Sequence, residues 1–284
     1  MSDQYRVVQL ASGVYSLRSE TYGETFHPVI GPVAEAQALY VNQLNLVNRV
    51  RDAKSEFVVW DIGLGAAANP LTFLSAIEMI PAKVRIVSFD YTLEPLTVAL
   101  ENGSKLGYLA GWNERLQTLL ESRSLDFKTE SGLSVRWDLH LGDFPAFLKK
   151  PAVLQLSKPH AIFYDAFSPA TNPAMWTLGV FTDLFRTLDP KRACLMPTYS
   201  RSTMLRVTLL LAGFYVGKGH ATGEKEETTL AANSPECIVE PLDRSWLMRC
   251  KRSQSAEPLH EPFYRQSSIS DESWERLVMH PQFR

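Results

Sequence analysis

Cysteine is scarce: Cys194, Cys237 and Cys250 are widely spaced and odd in number, which excludes a disulfide framework and gives no zinc spacing. They read as reduced thiols of a cytoplasmic protein. No apolar run approaches the roughly 20 residues that a membrane-spanning helix needs; the most apolar stretch, Leu205 to Phe214, contains Arg206. The opening residues, Met1-Ser2-Asp3-Gln4-Tyr5-Arg6, lack the basic start and apolar core of a secretory leader. Charge of one sign forms no long run and the net charge is −2, whereas a dedicated duplex binder is usually more basic. No internal repeat is visible. What remains is an ordinary composition, 45% apolar and 21% charged, in a chain of 284 residues that can bury a sizeable core.

Periodicity then sets the organisation. After a prelude to about residue 30, Val33, Ala36, Leu39, Tyr40 and Leu44 recur at helical spacing over Val33 to Leu46. From Glu56 onward strands and helices alternate. Strands are expected at 57–65, 84–90, 135–142, 159–167 and 193–199, with a closing pair at 214–216 and 228–232. Helices are expected at 70–80, 94–106, 172–188 and 201–212, the last capped by Ser200, while the stretch to about Phe127 reads as polar or helical. This order implies an α/β fold with a mostly parallel seven-stranded sheet and helices on both faces. Three regions follow: an N-terminal segment and lid helix over 1–55, a main domain over 56–240, and a Ser-, Pro- and charge-rich extension over 241–284.

Carboxylates stand at the expected C-terminal edges of the strands, where parallel sheets bind ligands. Gly63-Leu64-Gly65-Ala66-Ala67-Ala68 fits the loose glycine fingerprint of nucleotide sites. Asp61, two places before the first glycine, would crowd a pyrophosphate but suits the cationic amino-acid end of S-adenosylmethionine. Asp90 ends the second strand, where an acid accepts ribose hydroxyls, and Asp143 follows the third, placed to accept from the adenine amino group. Each acid alone also suits a helix or turn cap. Together they form the pattern of a class I, Rossmann-like methyltransferase.

The segment Asp165-Ala166-Phe167-Ser168-Pro169-Ala170-Thr171-Asn172-Pro173-Ala174-Met175-Trp176 resembles the D-[AG]-F-[AS]-P-A-x-N-P-x-M-W signature of MnmC-type methyltransferases. Asp61-Ile62-Gly63-Leu64-Gly65 with Asn69 is similar to that family's D-x-G-F-G-x-G-L-N loop, with Ala67 at the third glycine. Pro32 to Glu35 with Leu44 to Leu46, and Ala212-Gly213-Phe214 through Gly223-Glu224-Lys225, extend the resemblance over roughly residues 20 to 232. It implies methylation of the aminomethyl group of 5-aminomethyl-(2-thio)uridine at the tRNA wobble position. A small-molecule or peptide amine, or a non-catalytic nucleoside-binding role, are the alternatives. The flavin oxidase domain of the bifunctional members has no counterpart in these residues, so methyl transfer alone is expected.

In this reading Asp165 binds the incoming ammonium and accepts its proton. The cofactor set is Asp61, Gly63, Gly65, Asn69, Asp90, Asp143 and Glu35. Phe167 and Trp176 wall the acceptor pocket and His27 is set with them, while Glu24, His27 and Glu35 fold over the cofactor as a lid and Lys225 meets phosphate. Lys225-Glu226-Glu227 replaces the family's Lys-Arg-Glu, so the cluster Arg244, Arg249, Lys251 and Arg252 is the further candidate for RNA. No metal and no membrane partner are expected.

Overall fold

An antiparallel hairpin, β1 (Tyr5–Gln9) and β2 (Tyr15–Ser19), precedes every element expected from periodicity and pairs Val7 with Leu17. The computed structural model describes residues 4–223 and 226–284. They divide into two compact units. One runs to Asp143 and includes Ala161–Asp165 and Ala221–Glu226; the other holds Phe144–His160, Ala166–His220 and Glu227–Arg284.

In the first unit the single helix expected over Val33 to Leu46 is broken. α1 (Pro32–Ala36) passes into a π-helical turn, Gln37–Asn42, and Asn45 at φ 48° starts α2 (Leu46–Arg51). Asparagine tolerates that left-handed geometry better than most residues, so the break falls where the chain can turn cheaply.

β3 (Phe57–Ile62) is buried at all six positions, the signature of a strand covered on both faces. The glycine loop leads into α3 (Ala68–Ile77), then β4 (Lys83–Asp90), α4 (Glu94–Glu101), α5 (Gly103–Leu106) and α6 (Asn113–Ser122). β5 (Ser124–Lys128), β6 (Ser134–Leu141) and β7 (Ala161–Tyr164) complete the unit. The strand order is β5-β6-β4-β3-β7, parallel throughout except for β5, which pairs antiparallel with β6.

The second unit contains α7 (Phe144–Leu148), α8 (Leu178–Thr187), β8 (Leu195–Thr198), α9 (Thr203–Ala212), β9 (Tyr215–Gly219) and β10 (Thr228–Ala232). β10 runs antiparallel between β8 and β9. Two expectations shift here. A 3₁₀ turn, Pro173–Trp176, precedes α8, whose cap is Thr177, and Ser202 rather than Ser200 caps α9 by accepting from the Leu205 amide at 3.2 Å. Among the described residues, and apart from the β1–β2 hairpin, these orders contain eight strands, one more than the expected seven, and the addition is β5.

Residues 241–284 pack within the second unit through α10 (Arg244–Lys251) and α11 (Asp271–Val278). The Gln282 side chain bonds the Val216 amide and carbonyl and the Leu242 carbonyl, and Trp246 stacks on Phe283. Gly217 is where this packing is tightest: a Cβ there would lie 2.5 Å from Ile238 Cγ2 and 2.6 Å from the Glu240 carbonyl oxygen. Backbone cannot yield as a flexible side-chain tip can. Gly217→Ala is therefore expected to lower stability by about 1–3 kcal/mol, read as a drop in denaturation midpoint; an unchanged midpoint would contradict the packing. No helix among the described residues is long and apolar enough to cross a membrane.

Candidate active site at the strand tips

β3 and β4 pair with Asp61 beside Ser88, and that register fixes the acid. Ser88 Oγ donates to Asp61 Oδ2 at 2.7 Å and itself accepts from Trp137 Nε1 at 2.9 Å. Asp61 is fully buried, and its Oδ1 has no hydrogen-bond partner. Such an oxygen is costly unless a ligand completes it.

Beyond it the chain turns through Gly63 at φ 95° and Gly65 at φ 52°. The Gly63 amide bonds the Phe89 carbonyl at 2.9 Å, and the Gly65 amide bonds Asp90 Oδ2 at 2.8 Å. Asp90 Oδ1 accepts from the Thr92 amide at 3.2 Å, so this acid orders both its own loop and the glycine loop. Ala67, at the third glycine's place, also adopts a left-handed φ of 61° as it begins α3, a conformation glycine reaches without steric cost. At Gly65 a Cβ would come within 3.0 Å of the Phe26 ring. The segment carrying Phe26 and His27 therefore lies over the glycine loop, anchored by Ser16 Oγ donating to the Phe26 carbonyl and by the Phe26 amide on the Leu17 carbonyl at 2.8 Å.

Asp165 follows β7, its amide on the Ile62 carbonyl at 2.9 Å. Its Oδ2 accepts from Asn69 Nδ2 at 2.8 Å and lies 3.5 Å from His27 Nε2, while His27 Nδ1 lies 3.7 Å from Glu35 Oε2. Asn69 and Glu35, expected beside the cofactor, are thus tied to Asp165 and His27. Asp143 is exposed after β6, with its neighbour Gly142 donating to the Asp90 carbonyl at 2.8 Å.

Charge is crowded here. Burial pushes the Asp61 carboxyl up to about 7, against the Ser88 hydrogen bond and with help from Asp165 and Asp90. Burial also raises Asp90, opposed by the Gly65, Thr92 and Tyr91 amides. For His27 burial disfavours the imidazolium, but Asp165 and Glu35 outweigh it and leave the group above its ordinary value.

In the second unit Trp176 is fully buried, its Nε1 donating to the Phe167 carbonyl at 2.7 Å and its ring edge-on to Tyr199. The ring expected to wall a pocket is core, and it acts by fixing the Phe167 backbone; Phe167 itself is half-buried. Tyr199 Oη donates to the Ala166 carbonyl at 3.0 Å, a support that no motif or spacing signals. Ser88 was also missed, although a hydroxyl inside an apolar strand was its signal. Lys225 lies outside the described residues. Of the basic cluster, Arg244 bonds the Phe283 carbonyl and Lys251 lies 4.7 Å over the Trp274 ring, while Arg249 and Arg252 are exposed.

Residues 110–234 match a family described as S-adenosyl-L-methionine-dependent methyltransferase. The tRNA 5-methylaminomethyl-2-thiouridine biosynthesis bifunctional protein MnmC of Aeromonas hydrophila is 27% identical over 241 residues, covering 78% of this chain and 35% of that protein. The chain thus spans about a third of the length of the MnmC relatives it matches. A crystal structure of MNMC2 from Aquifex aeolicus superposes with a TM-score of 0.68 at 25% identity, covering 98% of this chain and 84% of that one. Spermidine synthase from Thermotoga maritima, at 9% identity and a TM-score of 0.53 over 98% of this chain and 80% of its own, shares the fold. The strand-tip residues fit the cofactor: the unpartnered, buried Asp61 Oδ1 is an acceptor suited to its cationic amine, and the turn beside it takes the positive φ at Gly63 and Gly65 that glycine allows.

Proposed function

We propose that this chain, an S-adenosylmethionine-dependent methyltransferase related to MnmC, methylates the aminomethyl nitrogen of 5-aminomethyl-(2-thio)uridine at the tRNA wobble position. The observation that carries the reading is Asp165, a carboxylate at a strand tip, oriented by Asn69 and set beside His27. A primary ammonium needs such a group, because it must be held and must lose a proton before its lone pair can attack. The bound cofactor supplies an electrophilic methyl group. Asp61 would receive the cofactor's amine, Asp90 its ribose hydroxyls and Asp143 its adenine, over the turn at Gly63 and Gly65. Phe167 is assigned to the acceptor pocket and Lys225 to phosphate. A cytoplasmic setting belongs to the same proposal.

Net charge favours a second acceptor class. A chain of net charge −2 with isoelectric point about 6.3 offers little general attraction to a polyanion, so a small amine is the competing substrate. The test is transfer of labelled methyl from S-adenosylmethionine to total tRNA from cells lacking this gene, beside a metabolite extract. Label in a wobble 5-aminomethyluridine product is the expected result. Label confined to small molecules would discard the tRNA assignment, and label in neither would discard the amine.

A further inference from the structure

The hairpin and its following segment bring one more titratable group to Asp165 than the transfer reaction requires. His27 is held at φ 47°, a left-handed conformation uncommon outside glycine, although histidine takes it more readily than most side chains. Strain of this kind persists where surrounding structure imposes it. Here the hydrogen bonds of Phe26 and the contact of its ring with the glycine loop do so. The result is an imidazole between two carboxylates from different elements: Asp165 after β7 faces Nε2 at 3.5 Å, and Glu35 of α1 faces Nδ1 at 3.7 Å. The neutral amide of Asn69, from α3, shares Asp165 Oδ2. All three ionisable side chains are largely buried, at 10–18% exposure, so water screens them little.

An imidazolium in this position and an incoming ammonium would compete for the same carboxylate oxygen. Both cannot remain charged against Asp165 without repelling each other in a poorly solvated site. We propose that His27 is a positioning residue that occupies the cation seat of Asp165 in the resting enzyme, yields it as a neutral imidazole when the acceptor ammonium arrives, and then takes up the ammonium proton by way of Asp165. This rests on the aminomethyl-methylation reading and adds the proton route to it.

The protons balance. His27 first releases one proton to solvent. The ammonium N–H bond then breaks with its electron pair left on nitrogen, the proton passes to Asp165 Oδ2 and on to His27 Nε2, and the imidazolium is restored between Asp165 and Glu35. One proton reaches solvent for each ammonium converted to amine.

Two measurements on the full chain separate this inference from the functional reading. NMR titration of the His27 ring needs no acceptor. The native ring should titrate above its ordinary value and fall by about one pH unit or more in Asp165→Asn; a ring unmoved by that substitution would overturn the pairing. The second is the pH profile of kcat/KM for labelled methyl transfer to the acceptor. The native profile should rise about tenfold per pH unit up to the ionisation of His27. In His27→Asn, chosen because asparagine tolerates the left-handed backbone, the rising limb should move to the higher ionisation of the amine. Retained cofactor affinity would mark that variant as folded. A limb unchanged in His27→Asn would overturn the proton route and leave the methyltransferase reading intact. Failure of the native chain to methylate any amine would instead overturn the functional reading, and with it the proton route, while the ring titration decides the pairing.

Discussion

Asp165→Asn is expected to slow methyl transfer by about 10²–10⁴-fold, the range that a positioned acid or base contributes, while cofactor affinity stays within a few-fold. The substitution conserves shape, and the Asn69 amide that now donates to Oδ2 at 2.8 Å can still donate to the new carboxamide oxygen. What disappears is the negative charge and the capacity to take a proton. An ammonium then meets a neutral group beside His27, whose ring still has Glu35 at 3.7 Å. Cofactor recognition should be largely spared, because the hydrogen bonds that hold Asp61 and the glycine turn come from Ser88 and Asp90, and Asp165 acts on Asp61 only through its charge, after burial and the Ser88 hydrogen bond. Single-turnover transfer of labelled methyl and calorimetric binding of S-adenosylmethionine separate the two effects. Loss of cofactor binding in this variant, or an undiminished rate, would remove Asp165 from its assigned role.

The acids at the strand tips were legible for a physical reason. Phe57-Val58-Val59-Trp60 and Ala161-Ile162-Phe163-Tyr164 are apolar throughout because both faces of β3 and β7 are buried. A polar residue ending such a run has little choice but the strand's edge. Glycines at Gly63 and Gly65 marked the turn because they take positive φ there.

Elements that depend on distant partners were not legible. β5 carries Leu125 and Phe127 among polar residues and reads as loop or helix; it becomes a strand by pairing Leu125 with Trp137 and Phe127 with Val135 of β6. The hairpin β1–β2 is equally short and mixed. The cap expected at Ser200 falls instead on Ser202, whose extended backbone lets its side chain accept from the Leu205 amide. Within the site, the bond between Asn69 and Asp165 joins residues 96 positions apart, so spacing motifs placed Asn69 with the glycine loop that it adjoins in sequence. Trp176 shows the converse: an aromatic residue inside the motif that carries the family resemblance, yet one that serves by burial and a backbone hydrogen bond.

Asp61→Asn is expected to strengthen the ligand-free fold and to weaken the cofactor's hold on it. In the folded chain burial lifts this carboxyl from 3.8 to about 7. Between those values the folded state keeps a proton that the unfolded chain has shed. The group's contribution to stability therefore falls as pH rises through that window and is lowest above pH 7. At about 1.4 kcal/mol per pH unit, the penalty reaches roughly 4 kcal/mol as an upper figure. Asparagine preserves an acceptor for Ser88 Oγ without the charge, so the variant should melt higher than the native chain at pH 8 and much closer to it near pH 4. The cofactor's cationic amine requires the charged form. Native affinity for S-adenosylmethionine should rise with pH up to about 7, by as much as tenfold per unit, and in Asp61→Asn it should be weak and nearly flat. Thermal unfolding and calorimetric titration between pH 5 and 8 read both effects on the same samples. A native affinity indifferent to pH and equal to the variant's would show that Asp61 is a buried structural acid, and would leave its unpartnered Oδ1 without a ligand to explain it.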